Sequence, residues 1–257
     1  MDYLIICTAS FFAAGLTLFS GFGLGTLLMP CFALFFPLEA AIAMTAVVHL
    51  AANLWKFILM GKYSDRRVIA LFGLPALIFA FAGAWLLAAL SHIQPLFSYE
   101  LADRVREVTP VKLIMACIIA GFALLEMVPR FSAVTFNKVA LPLGGALSGF
   151  FGGLSGHQGA LRSVFLSRSG LGAQTFIGTG VVIACMVDLA RLITYQRTFD
   201  WARLSAYWGL LAASSAAAFL GVWAARRFAE KVTIKTIQRM VAVFLGLTAL
   251  CLASGII

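Results

Sequence analysis

Eight apolar stretches, each long enough to cross a bilayer, follow one another along 257 residues. A transmembrane helix needs about 20 mostly apolar residues. The candidates are Tyr3–Phe36, Leu38–Met60, Val68–Leu90 and Val111–Val128, then Phe136–Leu166, Leu171–Tyr195, Leu204–Ala224 and Ile234–Ile256. Composition agrees: 62% of residues are hydrophobic and 11% charged, with a mean hydropathy of +1.01. A soluble domain carries about 45–50% and about 25%. A fold of this length has too little interior to hide so much apolar surface from water, which excludes a water-soluble enzyme or a disordered chain. The expected class is an all-α polytopic membrane protein.

Nineteen Lys and Arg outnumber ten Asp and Glu. The basic residues cluster between apolar runs, as a bilayer sorts charge, so a nucleic-acid partner is not expected. Cys7, Cys31, Cys117, Cys185 and Cys251 are scattered through apolar stretches and read as small buried hydrophobes. Met1-Asp2-Tyr3 offers no basic region and no cleavage site, so the first run reads as a retained segment and not a signal peptide. No Walker, HExxH, GxSxG or zinc-type spacing occurs; no enzyme activity, cofactor or metal is expected.

The first run of each half is too long and is interrupted by glycine. Ser20-Gly21-Phe22-Gly23-Leu24-Gly25 breaks one, and the stretch from Ser148 to Gly159 breaks the other. Each reads as two half-helices joined by an unwound segment, which a bilayer tolerates only where protein or a wet cavity covers the backbone. The polar connection Ser91–Pro110 reads as a surface loop with a short amphipathic helix, and Ala224–Arg239 as a basic loop.

Sliding the chain by 135 positions superimposes rare polar residues in one register. Ser20-Gly21 falls on Ser155-Gly156, Asn53 on Asp188, Lys56 on Arg191 and Asp65 on Asp200, with Gly25 one position from Gly159. The expected organisation is two membrane repeats, residues 1–130 and 131–257, within one integral domain. If each broken segment turns back as a hairpin, three crossings follow in each half and the repeats are inverted. Lys62, Arg66, Arg67, Arg130, Arg162, Arg226 and Arg227 then fall on the inner side, as the positive-inside bias prefers. Both chain ends then lie outside the cytoplasm. If the segments instead cross fully, the repeats are parallel.

Paired broken helices in inverted repeats point to a transporter site near the midplane. A half-helix that starts inside the membrane offers free N–H groups and about half a positive charge, which suits an anion. The breaks carry the donors Ser20, Ser155, His157 and Gln158, with Gly21, Gly23, Gly25 and Gly156 allowing close approach, and no carboxylate. His49, Asn53 and Lys56 share one helix face, and Asp188 and Arg191, at i and i+3, can pair. Lys56 then has no local acid, which again favours an anion, although it and Arg191 sit near enough to helix ends to snorkel. His49 and Asp188 are candidates for proton coupling, with His49 equally readable as a packing residue. The glycines also admit a bland reading, as small residues that let helices pack closely.

The run Leu18-Phe19-Ser20-Gly21-Phe22-Gly23-Leu24-Gly25-Thr26-Leu27-Leu28-Met29-Pro30, with Ala46-Val47-Val48-His49 and Asn53-Leu54-Trp55-Lys56, resembles the TauE/SafE sulfite-exporter family. So does Gly144-Gly145-Ala146-Leu147-Ser148-Gly149-Phe150-Phe151-Gly152-Gly153-Leu154-Ser155-Gly156. The resemblance implies a multi-pass bacterial inner-membrane permease that exports sulfite or an organosulfonate such as sulfoacetate. The expected partners are a small anionic substrate and the lipid bilayer, with a homo-oligomer left open. A passive anion channel, and a cation or metal permease resting on Asp188, are the alternatives.

Overall fold

The computed structural model describes residues 2–20, 24–101, 104–127, 140–167, 169–198, 206–228 and 234–257. The chain runs α1 (Asp2–Ser20), α2 (Leu24–Ala33), α3 (Leu38–Met60), α4 (Arg66–Val68) and α5 (Leu74–Leu90), then β1 (Phe97–Leu101) and β2 (Arg104–Val108). It continues with α6 (Pro110–Met127), α7 (Leu141–Ser155), α8 (Gln158–Leu166), α9 (Ala173–Thr198), α10 (Trp208–Phe228) and α11 (Ile234–Ala253). Among the described residues, four segments are both long and apolar enough to span a membrane: Leu38–Tyr63, Arg66–Leu90, Ala173–Arg197 and Trp208–Ala225. The protein is therefore a helical multi-pass membrane protein. Its core is apolar, but its outside is apolar too, unlike a soluble domain, and a few polar groups lie within. Leu4, Ile58, Ile78, Trp85 and Leu250 are exposed, while Asp188, Arg191, Gln158 and His49 are buried.

Local chemistry sets the helix ends. Pro37 precedes α3, whose first turn carries Glu39 where the helix dipole favours negative charge. Asp65 caps α4 through its side chain, which accepts from the Val68 N–H at 2.9 Å. A π-turn over Ile69–Gly73 joins α4 to α5. Pro75 follows at the start of α5, where a residue without an N–H is tolerated.

Glycine sets which helices touch. Gly145, Gly149 and Gly153 form a stripe along α7, one every four residues. A Cβ on each would stand 2.1, 2.0 and 2.0 Å from the carbonyl oxygens of Phe72, Ala76 and Ala80. From the other side, a Cβ on Gly83 would meet the Phe150 oxygen at 2.0 Å. The backbones of α5 and α7 thus lie in direct contact. Gly221 of α10 does the same against the Phe11 oxygen of α1, at 2.0 Å. The remaining main pairs are α6 with α11 and α3 with α9. Each of these four pairs takes one helix from either side of the 128–139 region.

Two sequence expectations need correction. The Ser91–Pro110 connection holds an antiparallel β-hairpin and no amphipathic helix: Phe97 pairs with Val108 and Leu101 with Arg104. The Tyr99 hydroxyl donates to the Ser254 carbonyl, and Arg106 Nη1 donates to the Ile256 carbonyl at 2.6 Å. The hairpin thus holds the end of the chain. Second, the stretch from Ser148 to Gly159 is not unwound. Helix α7 continues through Ser155, because its glycines are locked against α5, and the interruption is confined to Gly156-His157.

Candidate functional site

Asp188, fully buried midway along α9, gathers donors from three elements. His49 Nδ1 of α3 stands 2.7 Å from Oδ2, and Asn53 Nδ2, one turn on, donates to the same oxygen at 3.0 Å. Gln158 Nε2, the first residue of α8, donates to Oδ1 at 3.0 Å. Arg191 Nη2 pairs with Oδ1 at 2.9 Å from the next turn of α9. Gln158 is itself fixed: its Oε1 accepts from Arg162 Nη1 at 3.2 Å, and its backbone oxygen from Ser148 Oγ at 2.9 Å. A carboxylate without water needs such a shell, since an unpaired buried charge is very costly.

Helices α3 and α9 run antiparallel. The Asp65 N–H, just beyond α3, donates to Thr179 Oγ1 near the start of α9 at 2.8 Å, while Asn53 meets Asp188 further in. Lys56 therefore lies one turn to one side of Asp188, level with Cys185, and Arg191 one turn to the other. Lys56, Arg162 and Arg191 surround a single carboxylate whose two oxygens are already occupied by donors. The balance of the site is positive.

On the Arg191 side the second break is a helix end followed by a helix start. Gly156 has φ of 81°, and its N–H closes α7 on the Gly152 oxygen at 2.9 Å. Only glycine holds this left-handed conformation without strain. His157 takes the N-cap position of α8 but makes no side-chain cap, so the first-turn amides of α8 receive no acceptor from it. Its Nδ1 is 3.0 Å from the Ser155 oxygen, its ring stacks on Phe122 at 5.6 Å, and Nε2 is buried without a partner among the described residues.

The first break reaches this point. A Cβ on Gly25 would stand 3.3 Å from the Gly156 oxygen and 3.5 Å from Thr45 Cγ2. A Cβ on Gly156 would stand 2.7 Å from Arg191 Nη1. Arg191 Nη1 and Thr45 Oγ1 are both buried and, among the described residues, have no hydrogen-bond partner. Unsatisfied polar groups thus collect where Gly25, Gly156, Thr45 and Arg191 meet.

Of the residues singled out from sequence, the fold brings together Gly25, His49, Asn53, Gly156, His157, Gln158, Asp188 and Arg191. Ser155 Oγ is turned to the Phe151 oxygen at 2.9 Å and also meets His157 Nδ1 at 3.1 Å. Lys56 is buried but stands apart, beyond Asp188. Gly21, Gly23 and the side chain of Ser20 lie outside the described residues. Sequence reasoning passed over Arg162, counted there as a loop charge, and Thr45. Both leave a trace in the spacing: Arg162 follows Gln158 at i+4, and Thr45 precedes His49 by one turn on the same face.

One family model, described as "Sulfite exporter TauE/SafE", matches residues 6–252. No curated protein and no solved structure matches the chain.

Proposed function

We propose, for a chain that belongs to the TauE/SafE sulfite exporter family, that a small sulfur oxyanion binds where the two helix breaks meet. The family makes the protein a transporter of the sulfite and sulfur-anion exporter type. In this reading the exported anion is sulfite or a small organosulfonate such as sulfoacetate, and the membrane is the bacterial inner membrane.

The observation that carries the reading is the set of buried, unpartnered groups around Gly156: Arg191 Nη1, Thr45 Oγ1 and His157 Nε2. The N-terminus of α8, uncapped by His157, adds positive potential from its dipole. Glycine at 25 and 156 leaves room for an oxyanion to reach backbone and guanidinium together. His157 Nδ1 faces a carbonyl that can only accept, so Nδ1 carries a proton. Nε2 then accepts a hydrogen bond from a protonated anion, or donates one once the ring is charged. Asp188, His49, Asn53 and Gln158 act as positioning residues: they hold Arg191 and the start of α8 in place.

We read the chain as two inverted repeats. Antiparallel α3 and α9 support this, as does a packing scheme that maps onto itself when the halves are exchanged: α1 with α10 becomes α7 with α5. Such halves can expose a shared site to either side in turn. With the cell interior negative, a monoanion gains about 2.3 kcal/mol per 100 mV on leaving, so efflux needs no strong coupling ion.

The test is thermal stabilisation of the purified protein by sulfite, sulfate, sulfoacetate, carboxylates and divalent cations, followed by counterflow in proteoliposomes. Sulfite or sulfoacetate should raise the melting temperature and show saturable counterflow. Stabilisation by divalent cations alone, or by none of these ligands, overturns the reading.

A further inference from the structure

The proposed binding point uses only one side of the Asp188 cluster, and the opposite side holds charge that it does not explain. Lys56 is 8% exposed and, among the described residues, makes no hydrogen bond or ion pair. The antiparallel register of α3 and α9 sets it level with Cys185, one turn from Asp188 toward the end of α9 on which Arg162 packs. Arg162 comes from α8, donates to Gln158 Oε1 at 3.2 Å, and packs on α9, where a Cβ on Gly180 would be 3.4 Å from its Nε. Asp188 is the acid nearest to this pair, and His49, Asn53, Gln158 and Arg191 already take its oxygens. Lys56 is nearly buried and Arg162 partly so, with Gln158 Oε1 its acceptor; two cations on one side of a carboxylate whose oxygens are taken form a place that a small anion completes.

We infer that Lys56 and Arg162 form a second anion station, separated from the Gly156–Arg191 point by the Asp188 cluster, with the Cys185 thiol on its wall. The inference rests on the transport reading above and deepens it, because the anion then has a resting place on each face of the Asp188 cluster. Lys56 and Arg191 lie three residues to either side of the Asp188 level, so the stations are about 9 Å apart at about 1.5 Å per residue. An anion passes between them only if Gln158, which touches both Asp188 and Arg162, gives way. The same amide that orders Asp188 is therefore the partition between the stations.

Cys185 is half-buried and supplies the probe. In a chain whose other four cysteines are replaced by Ala or Ser, Cys185 is alkylated with iodoacetate, an anion, or with iodoacetamide, its neutral counterpart. Mass spectrometry reads the ratio of the two rates. Relative to the same ratio in the unfolded chain, the folded protein should favour iodoacetate by about tenfold, as a focused positive field concentrates an anion. Sulfoacetate should slow both reagents, and Lys56→Gln or Arg162→Gln should return the ratio to that of the unfolded chain. An unchanged ratio in the folded protein, or a preference that survives both substitutions, overturns the second station. Retention of sulfoacetate-induced thermal stabilisation by the Lys56→Gln protein separates this failure from that of the transport reading, which would abolish stabilisation in every version. Protein that does not fold is identified by its melting curve, and Lys56→Arg, which keeps the charge, should then preserve the iodoacetate preference.

Discussion

Gly145, Gly149 and Gly153 face α5, while Gly156, three residues further on, ends α7. The first three are ordinary helical residues whose missing side chains let two backbones touch. The last has a positive φ and nothing but a guanidinium tip where its side chain would be. One set is required by packing and the other by backbone shape and by what sits next to it. The close-packing reading of a glycine-rich membrane segment thus holds for three of these glycines, while the fourth, a turn on, is needed for the shape of the backbone.

That contrast can be broken by substitution. Gly149→Leu should have the largest effect, since even a Cβ would overlap the Ala76 backbone at 2.0 Å and backbone cannot yield as a side chain can. Loss of monodisperse protein in size-exclusion chromatography is expected; a folded variant would show that the stripe does not pack as described. Asp188→Asn should come next, at about 3–5 kcal/mol, because it strands the buried Arg191 without its acid. Its melting temperature should fall well below that of the parent, and adding Arg191→Gln should recover part of the loss. Gly156→Ala should be milder, about 1–2 kcal/mol for the left-handed backbone. It should nevertheless remove sulfite-induced stabilisation, because the new methyl displaces Arg191 Nη1. Thr45→Val should change stability least, since among the described residues its hydroxyl has no partner to lose. Affinity for the anion should drop by about fivefold to tenfold in titration, the worth of one hydrogen bond. Unchanged affinity there would move the binding point away from Thr45.

Four of the eight expected spans stand among the described residues, legible because a bilayer leaves only length and hydropathy to satisfy, and α3 and α9 match Leu38–Met60 and Leu171–Tyr195 closely; the helices of the other four stretches are shorter there. The Asp188–Arg191 pair was legible as well, since i and i+3 is a fixed distance on a helix. What escaped depends on contacts between helices. Nothing in the spacing of His49 and Asn53 says that both turn toward a carboxylate 139 and 135 positions away. Arg162 looked like a loop charge because the helix that carries it has only nine residues and follows a glycine. The hairpin was missed for another reason. Five-residue strands such as Phe97–Leu101 are too short for a period of two to stand out against a helical one.

The β-hairpin sits between α5 and α6 yet grips the last residues of the chain through Tyr99 and Arg106. The opening and closing portions of the polypeptide are therefore laced together at one end of the bundle. Under the transport reading, rocking of one portion against the other would pivot near that lacing and swing widest at the far end. A purification tag fused after Ile257 would pull on the knot itself, so handles for measuring transport belong elsewhere on the chain.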